Sequence, residues 1–319
     1  MSETSRPSAI CGLLYCGDAG ERHTNLGAGA GGGDPLLVYV QNAVTLARSL
    51  AAHGQAFTLI TNDGARVGAL VEQAGEAGLF AVEEVAFTLD VPRGIPFYSA
   101  HFKLELLRLF GEGRSGAFPA LLDLDVVALR PLEFGPAKGL WAYDIAHEML
   151  AGPGHDEAIA SLEQVAGVPL RSRTWFGGEF LAGPAADFAI LWQAIAQMWP
   201  AYKDAVEALY HSGDEMVVSA ALNRLIDDGY PINDAGAAGL VARWWSVRTR
   251  TRLGRLADAQ RCAILHLPAD KHLLARQSTR RFNSARFVAE LRADVKGRKS
   301  ILRSVAHHLK GRRFAPLLD

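Results

Sequence analysis

The sequence is poor in cysteine. Cys11, Cys16 and Cys262 are the only three, they cannot all pair, and no CxxC spacing occurs. This excludes a disulfide framework and a thiolate zinc cluster, and points to a reducing compartment. The N-terminal stretch lacks the basic region, apolar run and small-residue cleavage site of a signal peptide. No apolar run approaches the about 20 residues that span a bilayer. Internal repeats and a GxxxxGK[ST] phosphate loop are also missing. The expectation is a cytoplasmic globular protein, with 49% hydrophobic residues to supply a full core.

Overall charge is equally scant at −1, but it is unevenly placed. Residues 243–313 hold 19 Lys or Arg against 4 Asp or Glu, which leaves 14 basic and 30 acidic residues elsewhere. A protein with one basic end is expected to meet something anionic there.

Apolar runs and turn signals alternate along the first 130 residues. Ala9–Cys16 reads as a strand, followed by a Gly-rich loop over Asp18–Gly33. Asp34-Pro35 supplies an N-cap and first-turn proline for a helix Pro35–Ala52. Ala56–Thr61 predicts a second strand, Ala65–Ala74 a helix, and Ala81–Phe87 a third strand. That rhythm is the signature of parallel strands with crossover helices. Phe97–Phe110 predicts an amphipathic helix. Phe118–Leu129, the most apolar segment, predicts a central strand. Further on, Trp141–Ile145 and Trp175–Leu181 read as strands. Glu157–Ala166, Pro184–Met198, Ala201–Leu209 and Asp214–Asp227 read as helices. Cys262–Leu267 is a last short strand, and the chain beyond Lys271 reads as loosely packed basic helices.

Chemistry concentrates at four places. Asp123-Leu124-Asp125 interrupts the apolar strand, and residues i and i+2 of a strand share a side. Two carboxylates in such a frame are costly alone and natural around a divalent cation. The bland alternative is that they mark where the strand leaves the core. His266 ends the last strand, where it is either a hydrogen-bonded core residue or the third ligand of a Mn²⁺ or Mg²⁺ site. Lys271, five residues on, is a solvated lysine or a point charge for a diphosphate. Gly177-Gly178-Glu179 and Gly213-Asp214-Glu215 put acids beside glycines that allow close approach of backbone. Acids at the start of a helix also favour its dipole without any further role.

In order and spacing, Ala9 to Leu274 resembles the GT-A glycosyltransferases, particularly the family 8-like group, whose hallmark is an aspartate-any-aspartate motif closing a central strand. The resemblance implies a GT-A-type α/β domain with a mixed, mostly parallel sheet over residues 1–275, and a basic, helical C-terminal extension over 276–319. It implies a sugar moved from a nucleotide-sugar, a UDP-sugar by preference, to a glycan or lipid-linked acceptor. It also implies Asp123, Asp125 and His266 on a Mn²⁺ or Mg²⁺ ion, and Tyr15, Asp18, Lys103, Asp123, Gly177, Gly178 and Lys271 on the donor. For an inverting reaction, Glu179, Asp214 and Glu215 are the candidates for the base. For a retaining one, an acid on the β-face of the sugar stabilises the cationic transition state. Glu215 replaces the glutamine of the family 8 pattern, which leaves the sugar and the stereochemistry open.

Two rivals use the same residues. Asp123-Leu124-Asp125-Val126-Val127 also satisfies the first motif of haloacid-dehalogenase-like phosphatases, but there the nucleophile strand usually opens the fold. A non-catalytic carbohydrate- or nucleotide-binding protein is expected to have lost an aspartate, and both are present. Gly27–Gly33 is not a dinucleotide fingerprint, because a polar loop separates it from the strand. It reads as a mobile loop near the donor cleft, with a plain flexible linker as the bland alternative. For the basic end, Trp244 and Trp245 among arginines suggest peripheral attachment to the inner face of an anionic membrane. No recognition motif points to nucleic acid.

Overall fold

The computed structural model of the protein describes residues 5–17, 34–247 and 254–312, with side chains as far as residue 298. Asp18, the glycine run 27–33 and the arginines of 248–252 lie outside the described residues. In chain order the elements begin β1 (Ala9–Leu14), α1 (Pro35–Ala51), β2 (Thr58–Thr61), α2 (Gly64–Gln73), β3 (Ala81–Glu84), a 3-10 turn Tyr98–His101 and α3 (Phe102–Gly111). The middle holds β4 (Pro119–Leu122), β5 (Val126–Ala128), β6 (Leu140–Asp144), α4 (Ala146–Met149), α5 (His155–Ala166) and β7 (Phe176–Ala182). Then follow α6 (Ala185–Ala205), α7 (Asp214–Asp227), β8 (Ile232–Asp234), β9 (Val241–Arg243), α8 (Leu256–Ala259), β10 (Ile264–His266), α9 (Lys271–Gln277) and α10 (Ser284–Arg312).

Seven strands form one sheet in the order β3-β2-β1-β4-β7-β6-β8. Only β7 runs against its neighbours, so the sheet is mixed and mostly parallel, as expected. Central β1 is apolar because it is flanked by parallel β2 and β4 and covered on its faces. α1 starts where the sequence places it: Asp34 accepts from the Leu36 N–H at 2.9 Å, with Pro35 in the first turn.

The structure differs from the sequence reading in three places, for physical reasons. The segment Phe118–Leu129 is not one strand. β4 belongs to the large sheet, while β5 turns away into a second, three-stranded sheet of order β5-β10-β9. The carboxylates of Asp123 and Asp125 cannot continue into an apolar interior, and the chain bends at them. Helix α6 runs unbroken through Pro200. The lost hydrogen bond costs about 3 kcal/mol, and it is offset by burial of Met198, Trp199 and Tyr202 on the same helix. Finally, β8 and β9 are three residues each, too short for a periodic pattern to show.

The second sheet covers its own core, in which Val127, Leu129, Leu265, Leu267, Phe282, Phe287 and Leu291 pack together. The boundary expected at 275/276 falls inside α9, and α10 contributes Phe287 and Leu291 to this cluster. Much of the described basic charge here is paired, with Arg298 on Asp270 at 2.6 Å and Arg276 on Asp294 at 3.0 Å. The tryptophans expected as membrane anchors are engaged by the protein. Trp244 packs against the second cluster, and Trp245 donates to Glu148 at 3.3 Å. No described helix is long and apolar enough to cross a membrane.

Candidate active site

The parallel strands deliver their last residues to one end of the sheet, where ligands of open α/β sheets bind. A cleft of about 360 Å³ lies there. Tyr15 follows β1, Asp123 and Asp125 follow β4, Asp214 and Glu215 open α7, and His266 closes β10. With Lys103 from α3 and Lys271 from α9, all eight line this cleft. Residues spread over some 250 positions of sequence thus converge on one volume.

At its floor, ligand atoms of Asp123, Asp125 and His266 lie within 4.8 Å of one another. The backbone fixes them. The Leu267 N–H donates to the Asp125 carbonyl at 2.9 Å, and the Asp123 N–H to the Glu179 carbonyl at 3.1 Å. His266 Nε2 faces Asp125 Oδ1 at 3.1 Å, and Nδ1 faces Glu179 Oε1 at 3.0 Å. Each aspartate also meets a lysine: Lys103 contacts Asp123 at 2.6 Å, and Lys271 is ion-paired to Asp125. Lys103 reaches on to the Gly178 carbonyl at 3.0 Å and to Asp214 at 3.5 Å.

The electrostatics follow from these partners. Burial raises the Asp123 carboxyl above its usual range, and Asp125 reinforces this against the opposing pull of Lys103. Asp125 suffers the same burial, but Lys271 and His266 outweigh it and hold its pKa well down. For His266, burial alone lowers the pKa; Asp125 and Glu179 overcome it and lift the imidazole to about 9. This has a measurable consequence. A folded pKa near 9 against an ordinary 6.5 stabilises the fold fully below pH 6.5 and is lost as pH rises through 9. In EDTA, the protein is therefore expected to lose on the order of 3 kcal/mol between those limits. His266→Asn is expected to flatten that part of the profile. Equal slopes for the two proteins in thermal melts across pH 6–10 overturn the ion-paired imidazole.

Three predicted residues sit behind the cleft instead of on it. Glu179 is fully buried and accepts two bonds from Arg243, at 2.7 and 2.6 Å. Arg243 and His266 hold its pKa down against burial. It is not positioned to take a proton from a molecule in the cleft. A Cβ on Gly178 meets Asp214 at 2.9 Å, Lys103 at 3.2 Å and Glu215 at 3.3 Å, and one on Gly177 meets Glu179 and Arg243. These glycines make room for the site's own charges, whereas the sequence suggested room for a ligand.

One face of α7 sets the acids at its N-terminal end. Glu215, Ser219 and Asn223, four residues apart, accept the N–H groups of Gly178, Phe176 and Thr174, two residues apart, at 3.0, 2.9 and 3.0 Å. Four helical residues rise about 6.0 Å and two strand residues about 6.6 Å, so the two ladders match. Glu215 is gripped further by Trp175 Nε1 at 3.1 Å and by Arg243 at 3.1 Å. Burial raises its pKa, but Arg243 leads the groups that bring the net shift below the usual range. Neighbouring Asp214 is shifted the other way, raised by burial and by Glu215 although Lys103 opposes them.

Sequence reasoning missed Arg243, His211 and Phe97 on the cleft wall. Arg243 was counted in the basic end, and only its place beside His266 in the β9–β10 register reveals it. Phe97 is the sole described non-glycine residue at positive φ, 58°, and its ring lies 4.9 Å from that of His211. A backbone strain of this kind on a cleft wall marks a place where the fold over-determines a side chain.

The site therefore joins an aspartate pair that follows β4 of the mixed, mostly parallel sheet to a histidine that closes β10 of the three-stranded sheet. Among solved structures the chain is similar to the WbbM bifunctional glycosyltransferase, at 11% identity and TM-score 0.46 over 83% of this chain. It spans only 46% of that protein. It is also similar to the galactosyltransferase LgtC in complex with donor and acceptor sugar analogues, at 14% identity and TM-score 0.47. That match covers 88% of this chain and 99% of the other. No protein-family model matches the sequence, and no curated protein does.

Proposed function

We propose that the protein is a metal-dependent glycosyltransferase that moves a sugar from a nucleotide-sugar, a UDP-sugar by preference, to a glycan or lipid-linked acceptor. The observation that carries this reading is the convergence of Asp123, Asp125 and His266 with two lysines in one cleft. The donor set fits Mn²⁺ or Mg²⁺: two hard carboxylates and one imidazole. The imidazole's second nitrogen is already anchored on a carboxylate, as metal-binding histidines require. When bound, the ion supplies a positive centre for the charge that develops on the departing diphosphate.

The remaining work falls to the chain's own groups. Lys103 and Lys271 stand against the two aspartates and are within reach of the same volume. With the aspartates taken up by a cation, both lysines are free to pair with diphosphate oxygens. Tyr15 stacks on Phe102 at 3.8 Å between ring centres and lines the cleft with Tyr39, an aromatic wall suited to a nucleobase. Glu215 is an ionised carboxylate in fixed position, suited to stabilising a cationic sugar in the transition state. Asp214, its proton held more tightly by burial, is the group suited to exchange a proton with a hydroxyl. Glu179 serves from behind, by holding His266 and Arg243. The sequence's basic end supports an acceptor presented at an anionic membrane surface, with the protein attached peripherally to its inner face.

Donor hydrolysis across UDP-, GDP- and CMP-sugars, with Mn²⁺ or Mg²⁺ and with EDTA, tests the reading. Release of one nucleotide that EDTA abolishes is the expected outcome. Cleavage of simple phosphate esters with no nucleotide released assigns the same aspartates to a phosphatase and overturns it.

A further inference from the structure

Arg243 touches three carboxylates at once. Its Nε and Nη2 form a fork on Glu179 at 2.7 and 2.6 Å, Nη2 also reaches Glu215 at 3.1 Å, and Nη1 lies 3.7 Å from Glu148. Its side chain is 8% exposed. Position follows from register: Arg243 ends β9 directly beside His266 at the end of β10, so both side chains leave the small sheet at one level. The Arg243 N–H donates to Tyr143 Oη at 3.0 Å, which ties this strand end to the large sheet. On the opposite side, β6 skips from Leu181 to Gly177 in its pairing with β7, leaving Gly178–Phe180 unpaired by β6. Such an irregularity re-aims a side chain, and here Glu179 lies within it.

Glu179 Oε1 is shared. It accepts from Arg243 Nε and faces His266 Nδ1 at 3.0 Å. Without the fork, Glu179 loses the two bonds that fix its place, and His266 loses the fixed partner that sets which nitrogen it presents to Asp125. Through the other edge of the same guanidinium, Glu215 is held at the cleft wall.

We infer that Arg243 is a positioning residue that couples the two halves of the site, orienting the metal ligand His266 through Glu179 and fixing Glu215 directly. The inference rests on the metal-site reading above. A lysine cannot replace it, because one point charge cannot span a bidentate carboxylate and a second acid in fixed geometry.

The test uses the full-length protein and its variants Arg243→Lys, Glu179→Gln and the double variant. Mn²⁺ affinity is measured by EPR titration without donor, alongside kcat and KM for donor hydrolysis; melting temperatures report folding. Arg243→Lys is expected to weaken Mn²⁺ binding by about 10–100-fold, the usual effect of losing a partner behind a metal ligand. Glu179→Gln is expected to reproduce that loss, and the double variant to add little to Mn²⁺ affinity because both act on His266. Only the arginine change lowers kcat further, through Glu215. Mn²⁺ affinities within about twofold of the parent in folded single variants, or losses that simply multiply, overturn the role. Should Arg243→Lys fail to fold, Glu179→Gln still decides the His266 arm. No Mn²⁺ binding by the parent removes the metal site itself, and this role with it, a result distinct from either.

Discussion

Asp125→Asn is expected to lower metal-dependent donor turnover by about 10³-fold or more, the scale of several kcal/mol that a metal's charge contributes in such a site. Asp125 is the crossing point of the floor, meeting His266 at 3.1 Å and ion-paired to Lys271. The same contacts warn against alanine. Breaking a buried pair by removing one partner costs about 3–5 kcal/mol. Among the described residues, Asp125→Ala leaves Lys271 the Pro268 carbonyl, at 3.2 Å, as a hydrogen-bond acceptor but no carboxylate in its place, so loss of fold and loss of site become confused. Asparagine keeps an acceptor oxygen and removes the charge. The measurements are Mn²⁺ affinity and turnover at a temperature well below the variant's own melting point. A folded Asp125→Asn protein with parental Mn²⁺ affinity removes this residue from the metal site.

The second large effect is expected at Glu215. Glu215→Gln retains size and donor access but not charge, and it turns an amide toward Trp175, Gly178 or Arg243, all of which donate. If the ionised carboxylate acts on a cationic transition state, kcat falls by about 10²–10³-fold, comparable to loss of one fixed electrostatic group in other active sites. Donor KM should change much less, because the ground-state sugar carries no such charge. A matching loss in KM with kcat unchanged instead makes Glu215 a ground-state binding residue. Asp214→Asn in parallel separates the neighbours, since Asp214 is held by Lys103 and lies outside the Arg243 fork.

Much of this was legible in the chain itself. Long elements with clear periodicity or capping, such as Pro35–Ala51 with Asp34 and Asp214–Asp227, form where their patterns place them. Asp123 and Asp125 stood out because charge in an apolar frame demands a partner, His266 and Lys271 because they close and follow the last short strand, and Lys103 only through the family resemblance. Errors fell where local pattern was silent or overruled. Pro200 reads as a break, yet tertiary burial keeps α6 whole. The apolar stretch around Asp123 reads as one strand, yet its two halves serve different sheets.

What the sequence by itself determined is the order of elements and the residue types that carry chemistry, since both follow from short-range pattern. Only the tertiary structure decided which charges meet. Arg243 and Glu179 lie 64 positions apart, and nothing periodic links them. Their contact exists because β9 pairs in register with β10 and because β7 is irregular opposite β6. That topology buries Glu179 behind the cleft against Arg243, and brings an arginine of the basic end to the cleft wall. It also drew the first turns of α10 from an expected loose tail into the second core, because Phe287 and Leu291 find apolar partners there.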